Sequence, residues 1–272
     1  QSLGESLLTL VVVTAALLAL GWGWAVALAV GVISMAASPA VLLRIADDLR
    51  ASGAVTDRSL LLATISTLLA LLGALVLTVV FVPAAAAAGG GLQFSAAGLG
   101  RLLLSLLLTL FWALLVTAAF WPVLRWQSSR SDSTAFYLLA AMTAVCLLAE
   151  QWGGSAALGF MVAGLMLRNL SPMPLIWPQA FQAANAMLNL LMFVLVASMA
   201  AQVGMSFALV SVVASAVLAR AVGKFSAVLL LGHGTAIGWR RQWPVACGQF
   251  ALSGVALLMV SALVSQWTAF NA

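Results

Sequence analysis

The stretch VLARAVGKFSAVLLL (217–231) is apolar enough for a membrane interior, yet it carries Arg220 and Lys224. Lys224 is the only lysine in 272 residues, so background composition does not explain its position. An apolar run of this length is what a helix needs to cross a bilayer, about 20 residues at the helical rise. Charges inside such a run are costly, and they usually face a protein interior or a water-filled path.

Hydrophobic residues make up 65% of the chain and charged residues 6%, with a mean hydropathy of +1.19. A soluble domain carries about 25% charge, so these values define an integral membrane protein. The eleven basic residues are too few and too scattered for a nucleic-acid footprint. Cys146 and Cys247 have neither metal-ligand nor disulfide spacing and read as packing residues. The chain starts with Gln rather than Met and lacks the features of a signal peptide, which reads as a start within a longer protein.

Nine apolar segments are predicted: 7–20, 24–43, 59–81, 102–124, 134–150, 155–167, 181–202, 206–232 and 243–266, the first and sixth being short. They are too long and unbroken for barrel strands, which alternate. The expected fold class is therefore all-α, a polytopic transmembrane helix bundle. Arg44, Arg50, Arg58, Arg125, Arg130, Arg168, Arg240 and Arg241 fall in alternate loops, and only Arg101 edges the opposite set. That bias predicts a cytoplasmic start, an outward C-terminus, and a location such as a bacterial inner membrane. The connector 84–100 (AAAAAGGGLQFSAAGLG) is low-complexity, and the glycines at 98, 153, 159 and 164 read as helix-packing positions.

Lys224 lies about 12 Å from the cytoplasmic end of its segment at a helical rise. Two readings stay open: a pair snorkelling to the interface, or a buried ionisable group on an ion or proton path. Arg220 is one turn earlier on the same face, so each cation raises the cost of the other. In MAASPAVLLRI (35–45), Ser38 and Pro39 interrupt the second segment, and CGQFALSG (247–254), with Gln249, interrupts the ninth. Paired interrupted helices point to a transporter with its site between the breaks, against the plainer reading of a kink and a packing glycine. Ser66 and Thr67, in ATISTLLALLG (63–73), reach about the depth of Lys224 and otherwise bond their own backbone. Glu150, in LLAEQWGGSAALG (147–159), is an edge carboxylate, read either as solvated or as part of the ion or proton path. His233, Asp47, Asp48 and Asp57 read as cytoplasmic surface. No phosphate loop, nucleophile constellation or metal cluster is present in the sequence, so no enzyme activity and no cofactor are expected.

The order of these features resembles the monovalent cation:proton antiporters, the sodium/hydrogen exchanger superfamily. The resemblance is carried by the S-P break, by E-x-x-G-x-S-x-A-L-G-x-x-x-A-G-L-x-L-R-N from Glu150 to Asn169, by R-x-x-G-K, and by G-x-x-A-L-S-G-V-A-L. It implies an inverted-repeat fold with two discontinuous helices crossing near mid-membrane. It also implies an elevator-like core (1–83 and 205–266), a dimerisation region (101–203), a homodimer in the lipid bilayer, and sodium or potassium exchanged for protons. Lys224 matches the family's basic residue that pairs with an ion-binding aspartate. Cation arrival would then displace the lysine's proton by repulsion.

Two departures follow. Ser38 and Ser66 or Thr67 stand where the family has aspartates, and the helix count is lower than the family's usual one. Lys224 is accordingly expected to lack a charge partner, and a cation site to rest on hydroxyls, backbone carbonyls and Gln249. Two alternatives remain open on that basis: a transport-inactive scaffold or regulatory relative, and a transporter of an anion or other solute drawn to Arg220 and Lys224.

Overall fold

The computed structural model describes residues 1–83, 92–94, 96–126, 132–170, 179–202, 206–232, 238–252 and 254–266. Most of the 84–100 connector, Arg130, His233 and the 203–204 loop lie outside the described residues. Among the described residues six helical stretches have the length and apolarity to cross a membrane, and three shorter apolar helices accompany them. The chain is an all-α, polytopic helix bundle, and its described residues include a short antiparallel ribbon, β1 (Phe81–Pro83) with β2 (Leu92–Phe94).

The chain divides into two compact units, Gln1–Gly98 with Met205–Ala272, and Leu99–Gly204. In the first, α1 (Ser2–Ala19) packs along α9 (Phe207–Leu231) and α2 (Trp24–Met35), and α4 (Ala54–Val79) lies against α1 and α2. The close approach of α1 to α9 requires Gly223: a Cβ there would stand 2.9 Å from the Cα of Thr9. The pattern of α1 is inverted relative to a soluble helix. Leu3, Leu7 and Val11 face outward, while the inward face holds Glu5, Ser6, Thr9 and Thr14 beside Val13 and Leu17. In a bilayer the apolar face meets lipid, so a polar stripe turned inward is the informative one.

Segment two is two helices. α2 ends at Met35, Ala36 and Ser38 are extended, and α3 (Pro39–Asp48) begins at the proline. The residue before a proline is pushed out of the helical region, and proline itself suits a first helical position. Ser38 caps the new helix, its Oγ accepting from Val41 N at 3.3 Å. Segment nine is also two helices, α10 (Gln242–Gly248) and α11 (Gly254–Gln266), with residues 249–252 outside both.

The second unit holds the body of α5 (Ala96–Trp126), with α6 (Asp132–Trp152), α7 (Ala156–Leu170) and α8 (Gln179–Gln202). Trp112, Val116, Phe120, Leu138, Ala163 and Leu167 form its core. Trp112 Nε1 donates to Gly153 O at 3.0 Å, and Thr109 Oγ1 accepts from Ser155 N at 2.9 Å, which fixes the turn between α6 and α7.

Candidate functional site

The two breaks meet. Ser38 N donates to Ala251 O at 2.8 Å, so backbone from one interruption pairs with backbone from the other. Interrupting a helix leaves carbonyls without their usual N–H partners, and in a membrane those carbonyls need other donors. Arg220 supplies them: Nε donates to Ser34 O at 3.1 Å, Nη2 to Ala36 O at 2.8 Å and Gln249 O at 3.4 Å, and Nη1 to Phe250 O at 2.8 Å. The first two carbonyls belong to the end of α2 and the other two to the end of α10. A guanidinium suits this position because its planar fork serves several acceptors at once, and its charge opposes the negative ends of two helix dipoles.

One turn further along α9, Lys224 Nζ donates to Met35 O at 3.0 Å and lies 2.5 Å from Glu5 Oε1. Both side chains are 0% exposed. The other carboxylate oxygen, Oε2, accepts from Ser66 Oγ at 2.5 Å, with Ser6 Oγ at 3.5 Å. Glu5 is thus held by an ammonium from α9 and a hydroxyl from α4 while it projects from α1. Thr67 Oγ1, next to Ser66, lies between Ala37 O of the first break and Ala63 O of its own helix. Gln249 is fully buried: its Nε2 donates to Ser59 O at 2.9 Å, which fixes the amide's orientation, and its Oε1 has no hydrogen-bond partner among the described residues.

The structure therefore brings Lys224, Arg220, Ser38, Pro39, Ser66, Thr67 and Gln249 to one region of the first unit, around the crossing. Glu150 is exposed on α6 in the other unit. The expectation that Lys224 lacks a charge partner is overturned by Glu5, which puts a buried carboxylate beside the hydroxyls and carbonyls of this region. The resemblance implies an aspartate at Ser66 or Thr67, and the carboxylate bonded to Ser66 comes from α1. The anion alternative rested on two unpaired cations. With Lys224 paired to a carboxylate and Arg220 bonded to four carbonyls, that basis is gone.

Sequence reading passed over Glu5 because the apolar window opened at residue 7, whereas α1 begins at Ser2 and takes the glutamate into its first turn. A cavity of about 470 Å³ lies beside this region, lined among others by Gln1, Asp57, Arg58 and Leu62. Gln1 is one helical turn from Glu5, and Leu62 one turn from Ser66 along α4.

Two interrupted helices that meet beside a buried ion pair, in a bundle of membrane-length helices, are an arrangement that secondary transporters use. Residues 2–269, nearly the whole chain, match the family described as sodium/hydrogen exchanger, transmembrane, and the chain belongs to that family. This family moves protons and monovalent cations across membranes, and the chain is an integral, multi-pass membrane protein. No curated protein matches the chain.

Proposed function

We propose that this protein exchanges a monovalent cation, sodium or potassium, for protons, acting as a transporter and not as an enzyme. The observation that carries the reading is the Lys224–Glu5 pair, a buried ammonium and carboxylate 2.5 Å apart beside the crossing of two broken helices. A buried pair of this kind is weak as a stability device but well suited to a switch, because each partner makes the other's charge tolerable. An arriving cation takes the place of the ammonium at Glu5. Oxygens already within bonding reach of the pair, Ser66 Oγ and Met35 O, supplement the carboxylate. Displaced from its counter-charge, Lys224 gives up a proton. In the return direction a proton restores the ammonium and the cation leaves.

The cavity beside Gln1, Asp57 and Arg58 is the cytoplasmic approach in this reading, in keeping with the basic loops on that side. The first unit acts as the moving core and the second as the dimerisation scaffold of a homodimer, with the bacterial inner membrane as its location. The test is reconstitution of the full-length protein into liposomes with a pH dye inside and an imposed pH gradient. Sodium, potassium or lithium chloride is then added to wild type, Lys224→Ala and Glu5→Gln. Cation-driven proton movement is expected in wild type and is lost in both variants. No movement with any of the three salts, from folded wild-type protein, leaves the inactive-scaffold reading in its place.

A further inference from the structure

Two pairs of exposed tryptophans mark the first unit. Trp22 and Trp24 stand at the turn between α1 and α2, and Trp239 and Trp243 around the start of α10. The pairs lie at opposite ends of the unit, because the end of α9 at Leu231 packs beside Gly4 at the start of α1. Tryptophan gathers where lipid headgroups meet hydrocarbon, so the pairs mark the two membrane surfaces. The second pair encloses charge: in WRRQW (239–243) both Arg240 and Arg241 are exposed. We infer that this segment binds the headgroup phosphate of an anionic phospholipid. The loop bias that predicts a cytoplasmic start puts that lipid in the cytoplasmic leaflet. The inference stands apart from the exchange reading, since a protein that moves no ion would still bind the lipid.

The segment is held from its inner side. Arg241 N donates to Gly238 O at 2.8 Å and closes the tight turn Trp239–Arg241. Gln242 is fully buried, and its Nε2 donates to Gly232 O, just past the end of α9, at 3.4 Å. Val245 and Ala246 continue the inward face against Leu62 and Val228. With those residues turned in, Trp239, Arg240, Arg241 and Trp243 are turned out. Trp243 packs on Phe225 of α9 with ring centroids 5.7 Å apart, so its indole is in place before a lipid arrives. Guanidinium groups suit a phosphodiester, and an indole at headgroup depth suits the glycerol region beneath it. Charge balance separates this segment from the other basic loop of the unit. Between 44 and 58, Arg44, Arg50 and Arg58 are matched by Asp47, Asp48 and Asp57, whereas WRRQW carries two positive charges in five residues. From there α10 runs to Gln249 and Phe250, whose carbonyls Arg220 holds. The lipid thus fastens one end of a half-helix whose other end lies in the candidate site.

The experiment places the full-length protein in phosphatidylcholine vesicles and adds rising fractions of phosphatidylglycerol with dibrominated chains, which quench a neighbouring indole. Dibrominated phosphatidylcholine is the reference. At low salt wild type is expected to favour phosphatidylglycerol by about 30-fold, about fivefold for each arginine. Arg240→Gln/Arg241→Gln is expected to abolish that preference, and the equally exposed control pair Arg44→Gln/Arg50→Gln to keep it. Trp239→Phe/Trp243→Phe, with both arginines in place, is expected to lose the quenching that phosphatidylglycerol adds, which locates the lipid independently of the arginine variant. Equal affinity for the two lipids in wild type, an equal loss in the control pair, or quenching that survives removal of both tryptophans overturns the inference. Sodium phosphate replacing chloride at the same ionic strength is expected to leave the preference unchanged. Displacement of the lipid by it would make this a site for soluble phosphate and overturn the assignment to a lipid.

Discussion

Replacing Glu5 with Gln preserves the shape of the side chain and its capacity to accept from Ser66, but removes the charge opposite Lys224. The ammonium is then left 0% exposed with one neutral carbonyl, Met35 O, and one neutral amide. Removing one partner of a buried pair costs about 3–5 kcal/mol. The lysine's way out is to shed its proton, which from an ordinary value near 10.4 costs about 4–5 kcal/mol at pH 7. The two routes bound the loss from different directions and agree on roughly 3–5 kcal/mol. Replacing both partners, in Glu5→Gln/Lys224→Met, removes the uncompensated charge and is expected to fall within about 1 kcal/mol of wild type. With each single costing about 3–5 kcal/mol, the singles and the double form a thermodynamic cycle with a coupling of roughly 5 kcal/mol or more, well outside the additivity of independent sites. Unfolding in mixed micelles, followed by the fluorescence of the ten tryptophans, reads all four proteins. A Glu5→Gln variant as stable as wild type, or losses that simply add, would show that the pair does not carry the charge balance of this unit.

Two further substitutions probe what surrounds the pair. Arg220→Lys keeps the charge but replaces a planar fork with a single ammonium that cannot serve four carbonyls on two helices. At about 1.5–3 kcal/mol for a hydrogen bond to a charged group, losing two or more of them is expected to destabilise the unit by at least about 3 kcal/mol. A loss below about 1 kcal/mol in the same unfolding assay would mean that water or another donor can replace the guanidinium. Gly223→Ala puts a methyl 2.9 Å from the Cα of Thr9, so α1 has to shift away from α9. The expected cost of about 1–3 kcal/mol comes with slower exchange in liposomes, and unchanged exchange would show that the spacing of these helices does not govern the Glu5–Lys224 contact.

Much of this site is legible in the sequence because its parts violate a local rule. Ser38–Pro39 cannot continue a helix, Arg220 and Lys224 do not belong in a lipid-facing run, and Ser66 and Thr67 sit at a depth where hydroxyls need partners. Each leaves a mark that a reader can find without coordinates. Glu5 leaves a fainter one. A glutamate in the first turn of a helix is an ordinary favourable interaction with the helix dipole, so its type and position raise no question. What distinguishes it is the company of Ser6, Thr9 and Thr14, polar residues on one face of a helix whose other face is Leu3, Leu7 and Val11. A search for that inverted stripe would have found the carboxylate, whereas a hydropathy window trimmed to its most apolar core excludes it. The partnership with Lys224 is not local at all: it joins residues 219 positions apart, and only the packing of α1 on α9 creates it.

The knot at the crossing also limits how this protein can move. Four carbonyls from two interrupted helices share one guanidinium, and a backbone bond from Ser38 to Ala251 ties the same two interruptions directly. Irregular backbone between half-helices would ordinarily serve as a hinge, with each half free to tilt about the break. Here a tilt of either pair strains bonds held by the other, so the joint behaves as a rivet. Under the proposed exchange, opening Glu5 first to one side and then to the other falls to motions that carry both broken helices together.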